Sequence, residues 1–120
     1  MNTLDTLIKA IEDKKPIEYE YNKEGKVKGK RYGDPHAVFI FTSKSTNVQS
    51  TKVHIVQREG VSDSKDDNPF PAFRMFNIED LAKVGILDDK PSFEPFFKSE
   101  DGKSRYNPEW EGYKNVIAKV

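Results

Sequence analysis

The densest run of chemistry-bearing side chains in this 120-residue sequence is cationic: Lys23, Lys26, Lys28, Lys30 and Arg31 fall within one short stretch. Strand alternation would put Lys26, Lys28 and Lys30 on one face, with Arg31 and Tyr32 at the strand end. Ammonium groups at that spacing suit a row of phosphate oxygens. A second set is His36, His54, Arg58 and Arg74. His54 and Arg58 are four residues apart on one predicted strand and so share a face, while His36 and Arg74 lie on strands that could neighbour it. An arginine fork grips a phosphate, and a histidine offers a hydrogen bond tunable near neutral pH. The ligand-binding candidates are therefore Lys28, Lys30, Arg31, Tyr32, His36, His54, Arg58 and Arg74.

Each has a plainer reading. Lysines protect an edge strand from unwanted pairing, and Glu18 and Glu20 can neutralise them across a hairpin. His36 can cap a turn after Pro35, and His54 can be a half-buried barrel residue whose ring is satisfied by backbone. Phe39, Phe41, Phe73 and Phe76 could stack bases, but they alternate in step with Val and Ile, as core residues do. Tyr32 differs in sitting beside Lys30 and Arg31.

Catalytic and metal chemistry find little support. There is no cysteine, hence no disulfide, thiolate zinc site or cysteine nucleophile. No nucleophile elbow or Gly-rich phosphate loop is present. Asp66-Asp67 and Asp88-Asp89 are adjacent acids in loops, which point apart and repel. The two histidines with Asp34 or Glu59 lack metal-ligand spacing. The expectation is a non-enzymatic protein with no cofactor and no metal.

The elements that must position these residues can be read from hydrophobic period. One hundred and twenty residues is one domain with one modest core. Leu4, Leu7, Ile8 and Ile11 repeat at helical spacing, with Thr3 as a cap and Lys14-Lys15-Pro16 as a stop. Ile17 to Tyr21 alternates as a half-buried strand. Asn22 to Gly25 reads as a tight connection into a basic return strand, Lys26 to Tyr32, which Gly33-Asp34-Pro35 breaks. His36 to Phe41 is apolar on both faces, as a central strand would be. Lys52 to Arg58, Phe73 to Phe76 and Lys83 to Leu87 supply further strands, with a single helical turn at Asn77 to Leu81. Glu59 to Pro71 is an acidic surface loop of about a dozen residues, a length typical of functional or mobile loops. From Asp88 to Trp110 the chain is rich in Pro, Phe and charge, and Tyr113 to Val120 reads as a last strand or helix.

The predicted fold is mostly β with one N-terminal helix, a small barrel of five or six strands over residues 1–88, plus an aromatic C-terminal extension, 89–120, packing on it within a single domain. Pro91, Phe93, Pro95, Phe96, Phe97, Tyr106 and Trp110 are too apolar for a solvated tail, so the extension covers an open face or meets a partner.

The helix ending LIKAIEDKKPIEYEYN, the basic segment KGKRYGDPHAVFI and the run FRMFNIEDLAKVGIL together resemble a WYL-type domain over roughly residues 4 to 88. The resemblance implies a short helix before an SH3-like or Sm-like barrel, and a ligand-sensing or nucleic-acid-binding module of bacterial transcription regulators and CRISPR accessory proteins. The Trp-Tyr-Leu trio that names the family falls on the fourth strand, which here reads Val53-His54-Ile55. Its Asp-Arg before Ile is here Phe76-Asn77-Ile78, while Arg74 remains upstream. No helix-turn-helix precedes the barrel.

Twenty Lys and Arg against twenty Asp and Glu give zero net charge, which removes the global attraction of a nucleic-acid coat protein. Residues 1–58 nevertheless hold 11 basic against 7 acidic side chains, a balance of +4, and residues 59–120 hold 9 against 13, a balance of −4. No stretch is apolar for the roughly 18 residues of a membrane span, and the expected location is cytoplasmic. The expected function is recognition of a nucleotide-like or oligonucleotide anion, possible ligands being a nucleotide or single-stranded nucleic acid. The alternative is a protein-interaction module, a bacterial or phage accessory or inhibitor protein using its aromatic C-terminal region or acidic loop; a third reading is a homo-oligomeric small β protein.

Overall fold

The computed structural model describes residues 2–62, 70–97 and 105–120. Most of the predicted acidic loop, from 63 to 69, lies outside the described residues. The chain is mostly β, with helix α1 (Thr3–Asp13) and six antiparallel strands: β1 (Ile17–Tyr21), β2 (Lys30–Thr42), β3 (Gln49–Gly60), β4 (Ala72–Asn77), β5 (Leu81–Ile86) and β6 (Val116–Lys119). No described helix is long and apolar enough to cross a membrane.

α1 starts one residue earlier than its periodicity suggests. Asn2, not Thr3, is the cap, its Oδ1 accepting from Asp5 N at 2.8 Å. Leu7, Ala10 and Ile11 form its buried face. It ends where Lys14 turns left-handed at φ 54°, and Lys15 N donates back to Ala10 O at 2.8 Å.

Strand order is β4-β3-β2-β1-β5, with β6 also pairing β2. The three-residue 3-10 turn Ile78–Asp80 carries the chain from β4 to β5, whose partner is β1, in register from Ile17↔Ile86 to Tyr21↔Leu81. The paired strands form one sheet that does not close. Its inner face packs on α1, in a core of Leu7, Ile11, Ile17, Tyr19, Val38, Val53, Ile55 and Phe76. Ala37 and Phe39 of β2 point the other way, into a second core with Tyr106 and Tyr113. β2 is thus apolar on both faces because both are covered.

Two expectations about the basic segment are corrected. Lys26 and Lys28 are not on a strand: residues 22–29 form a loop with Gly25 and Gly29 at φ 79° and 136°, and pairing begins at Glu20↔Lys30. The three lysines therefore do not form one strand face. Nor does Gly33-Asp34-Pro35 interrupt the strand, because β2 runs through it. The ladder to β3 absorbs the strain by shifting register between Tyr32 and Gly33 and again between Pro35 and Ala37. At the second shift His36 is the extra residue, and its carbonyl instead accepts from Val120 N at 2.9 Å.

Candidate functional site

Asp34 is an acid in the middle of an apolar strand, and its side chain is only 3% exposed. A carboxylate this deep requires a partner, and Arg58 supplies it, donating Nε to Asp34 Oδ2 at 2.5 Å. Burial raises the Asp34 pKa, while the hydrogen bond and charge of Arg58 pull it partly back. Arg58 is itself 45% exposed, so its guanidinium is held at one edge and open at the other.

That open edge faces a cavity of about 620 Å³. Tyr32, Gly33 and Asp34 of β2 form its floor with Arg58 and Glu59 of β3, and the segment Leu87 to Glu94 forms the far wall. The wall is tethered to the end of α1: Leu87 N donates to Pro16 O at 2.9 Å, Phe93 N to Lys14 O at 2.8 Å, and Lys15 Nζ to Lys90 O at 2.7 Å. Apolar surface comes from Pro16, Leu87, Pro91, Phe93 and the Tyr32 ring, and acids at the lining are Glu59, Asp89 and Glu94.

His36 lies beside this cleft but does not open into it. Its Nε2 accepts from Phe96 N at 3.0 Å, which places the ring proton on Nδ1, donated to Asp34 O at 2.8 Å. Phe93 stacks on the ring at 5.0 Å. Burial pushes its pKa down to about 4. Both nitrogens are thus engaged: Nε2 holds the 93–96 segment against β2, and Nδ1 closes back on the strand's own Asp34 carbonyl.

His54 shares the outer face of β3 with Arg58, as their spacing requires. It is enclosed by Phe39, Phe73, Trp110 and Tyr113, and its Nδ1 is 2.5 Å from Tyr113 Oη. Burial lowers its pKa to about 4.

Arg74 pairs opposite Ile55 and turns to the inner face. Its Nη2 donates to Ser62 Oγ at 2.9 Å and its guanidinium lies 5.9 Å over Phe70. Arg31, only 2% exposed, lies 5.2 Å over the Tyr21 ring and donates Nη2 to Val27 O at 3.3 Å. The charges of Arg31 and Arg74 both act on the Tyr19 phenol, partly offsetting the rise in its pKa that burial causes. These arginines belong to the polar end of the inner core, so the expected convergence of His54, Arg58 and Arg74 on one face does not occur.

Lys28 and Lys30 are at the surface. Lys28 Nζ donates to Asn22 Oδ1 and Lys23 O, both at 3.2 Å, and Lys30 Nζ lies 3.1 Å from Glu18 Oε2. Lys30 is thus neutralised across the hairpin by the neighbouring strand.

Of the eight sequence candidates, the cleft gathers Tyr32 and Arg58. The residues that sequence reasoning missed are Asp34 as the anchor of Arg58 and the 87–94 wall. The signal for Asp34 was a lone acid leading into HAVFIF; the wall carried none, because its hydrogen bonds to the end of α1 run almost entirely to or from backbone groups, which any sequence supplies. Comparisons with protein-family models, curated proteins and solved structures found no match.

Proposed function

We propose that this protein is a non-enzymatic, regulatory ligand-binding module that takes a small nucleotide-like anion in the cleft between Tyr32, Arg58 and the 87–94 wall. The observation that carries the reading is the Arg58 guanidinium, pinned by a buried carboxylate at the mouth of a cavity of about 620 Å³. A pre-oriented arginine is an efficient receptor for one phosphate, because the cost of ordering the side chain has been met before binding. The Tyr32 ring and the Pro and Leu surfaces offer a flat body a place to stack.

Charge narrows the ligand. Arg58 and Lys90 are the basic side chains of the lining, against Asp34, Glu59, Asp89 and Glu94. Such a rim repels an oligonucleotide but accepts hydroxyl and amino donors, so a ligand with a single phosphate on a donor-rich body fits better than a polyanion. The order of helix, four-strand meander, 3-10 turn and β5 returning to β1 supports the SH3-like or Sm-like barrel and WYL-like reading of residues 1–88.

Calorimetric titration with nucleoside monophosphates and with short single-stranded DNA and RNA, at two salt concentrations, tests this. Monophosphate binding should weaken at least about tenfold in Arg58→Ala, roughly 1.4 kcal/mol, and Arg58→Lys should not restore it, since an ammonium cannot span both partners. Absence of binding by all monophosphates at low salt, or binding indifferent to Arg58→Ala, rejects the cleft.

A second reading, a protein-interaction module, is favoured by three side chains of the C-terminal region that remain exposed: Phe97, Trp110 and Ile117 at 52%, 37% and 39%. The same region buries Phe93, Tyr106 and Tyr113. Single substitutions at Phe97 and Ile117, rather than truncation, are therefore the test: loss of partner capture with an unchanged melting temperature supports this reading.

A further inference from the structure

A second cavity, of about 600 Å³, shares no lining residue with the Arg58 cleft. One wall is the end of β2, Ile40 to Thr42, with the turn that leads on to β3. The other is the segment around the 3-10 turn Glu111–Tyr113. Backbone bonds set both walls. Ser43 N donates to Val48 O at 2.9 Å and Asn47 N to Ser43 O at 2.8 Å, with Asn47 left-handed at φ 55°. Tyr113 N donates to Trp110 O at 3.0 Å, and Ile40 N donates to Asn115 O at 3.1 Å, which ties the two walls together.

Trp110 gives the cavity an apolar plate. A Cβ added at Gly112 would lie 2.3 to 2.6 Å from three atoms of the indole's six-membered ring, so that ring rests on the bare Cα of the glycine. Phe39 and Tyr113 each pack against the indole at 88°. These contacts fix the ring, and 37% of the residue remains exposed. An aromatic surface held in this way needs no ordering when a ligand arrives.

The rest of the lining is polar and of mixed type: the hydroxyl of Thr42, the amides of Asn47 and Asn115, the ammonium groups of Lys44 and Lys114, and the carboxylate of Glu111. Among the described residues, none of these six side chains makes a hydrogen bond or an ion pair. They are free to exchange water for the polar groups of a ligand. Their types narrow the guest. A hydrocarbon would displace that water and return no hydrogen bond. A phosphate finds no arginine in the lining and a carboxylate beside it. Amides and hydroxyls both donate and accept. The guest that answers with many groups of the same dual kind, while presenting a C–H face to an aromatic plate, is a sugar ring. Two ammonium groups against one carboxylate favour a ring that carries a carboxylate of its own.

We infer that this cavity is a second binding site, independent of the Arg58 cleft, for a short acidic saccharide of the uronic acid class. One ring lies on Trp110, its hydroxyls exchange hydrogen bonds with Thr42, Asn47 and Asn115, and Lys44 and Lys114 face its carboxylate.

Trp110 is the chain's one tryptophan, so its fluorescence reports on this wall without labelling. Titration of the full chain at low salt with short oligomers of galacturonic and glucuronic acid should give a saturable change with at least one of them. The neutral oligomers of galactose and glucose should bind more weakly, and added salt should narrow the difference. Trp110 also borders the cavity over His54, so variants at exposed positions of this rim locate the response. Asn47→Gly removes an amide and suits the left-handed turn, and Asn115→Ala leaves the backbone bond to Ile40 in place. Each should weaken binding about fivefold, as loss of one hydrogen bond does. Lys114→Ala should bring acidic and neutral oligomers closer in affinity. Arg58→Ala should leave the saccharide response unchanged, which keeps failure of the cleft distinct from failure here. No saturable response to any uronic acid oligomer at millimolar concentration, neutral oligomers binding as tightly as acidic ones at low salt, an equal response to adenosine, or a response unaltered in both asparagine variants overturns the proposal.

Discussion

Arg58 and Asp34 carry opposite burdens. The carboxylate is buried and needs a cation; the guanidinium is half-exposed and gains a fixed direction from the carboxylate. The Asp34 pKa is already raised, because desolvation outweighs the help from Arg58. A carboxyl whose folded pKa lies above its unfolded one favours the native state at low pH and loses that contribution as pH rises through the folded value. In Arg58→Ala the offset disappears, so Asp34 should titrate at still higher pH in carboxyl ¹³C NMR. The variant should also lose more stability than the wild type between acid and neutral pH in denaturant titrations. An unchanged Asp34 midpoint would show that Arg58 is not its counterion. The residue types at this site were legible in the sequence and their pairing was not, since Asp34 and Arg58 meet only through the antiparallel register of β2 and β3.

Register is also where element-scale reading met its limit. The alternation of β1 and β3 and the two-sided apolar character of 36–41 are local and were readable. The loop 22–29 and the continuous β2 were not, because they depend on which residues find a partner: Lys30 finds Glu20 across the ladder, and Lys26 and Lys28 find no strand. A one-residue bulge at His36 then decides which side chains point outward, as any slip by one residue does. Glycines near the strand ends test this crowding. Gly60, at φ 103°, packs so closely that an added Cβ would lie 2.3 Å from Lys30 O, whereas Gly25, at φ 79°, has nothing within 4 Å. Gly25→Ala should cost about 1 kcal/mol, from left-handed strain alone. Gly60→Ala should cost about 3 kcal/mol, because overpacking against the β2 backbone adds to the strain. Equal midpoint shifts for the two in urea titration would mean that the β2–β3 end is more pliable than its packing implies.

The whole molecule has two cores on either side of one sheet, and both histidines are in the outer one. Burial holds His36 and His54 neutral, with pKa values of about 4 against an ordinary 6.5. With the folded values depressed, the stabilisation is fully present above pH 6.5 and is lost as pH falls towards 4, where only the unfolded chain has been free to take up protons. The combined loss is of order 6 kcal/mol, comparable with the whole stability of a small domain. Urea midpoints should therefore fall steeply between pH 6.5 and 4, and His54→Phe should flatten the slope by about half. A flat profile in the wild type would place both rings in contact with water. Taken alone, the sequence determined what is local: the helix with its apolar face, the alternating strands, the lack of thiol chemistry, and a charge neutrality made of two opposite halves. Tertiary structure decided that Arg31 and Arg74 turn inward, that Asp34 fixes Arg58, and that aromatic residues distant in sequence enclose His54. The physical reason is that periodicity is set by neighbours along the chain, whereas the burial of a polar side chain is set by the partner that the fold brings to it.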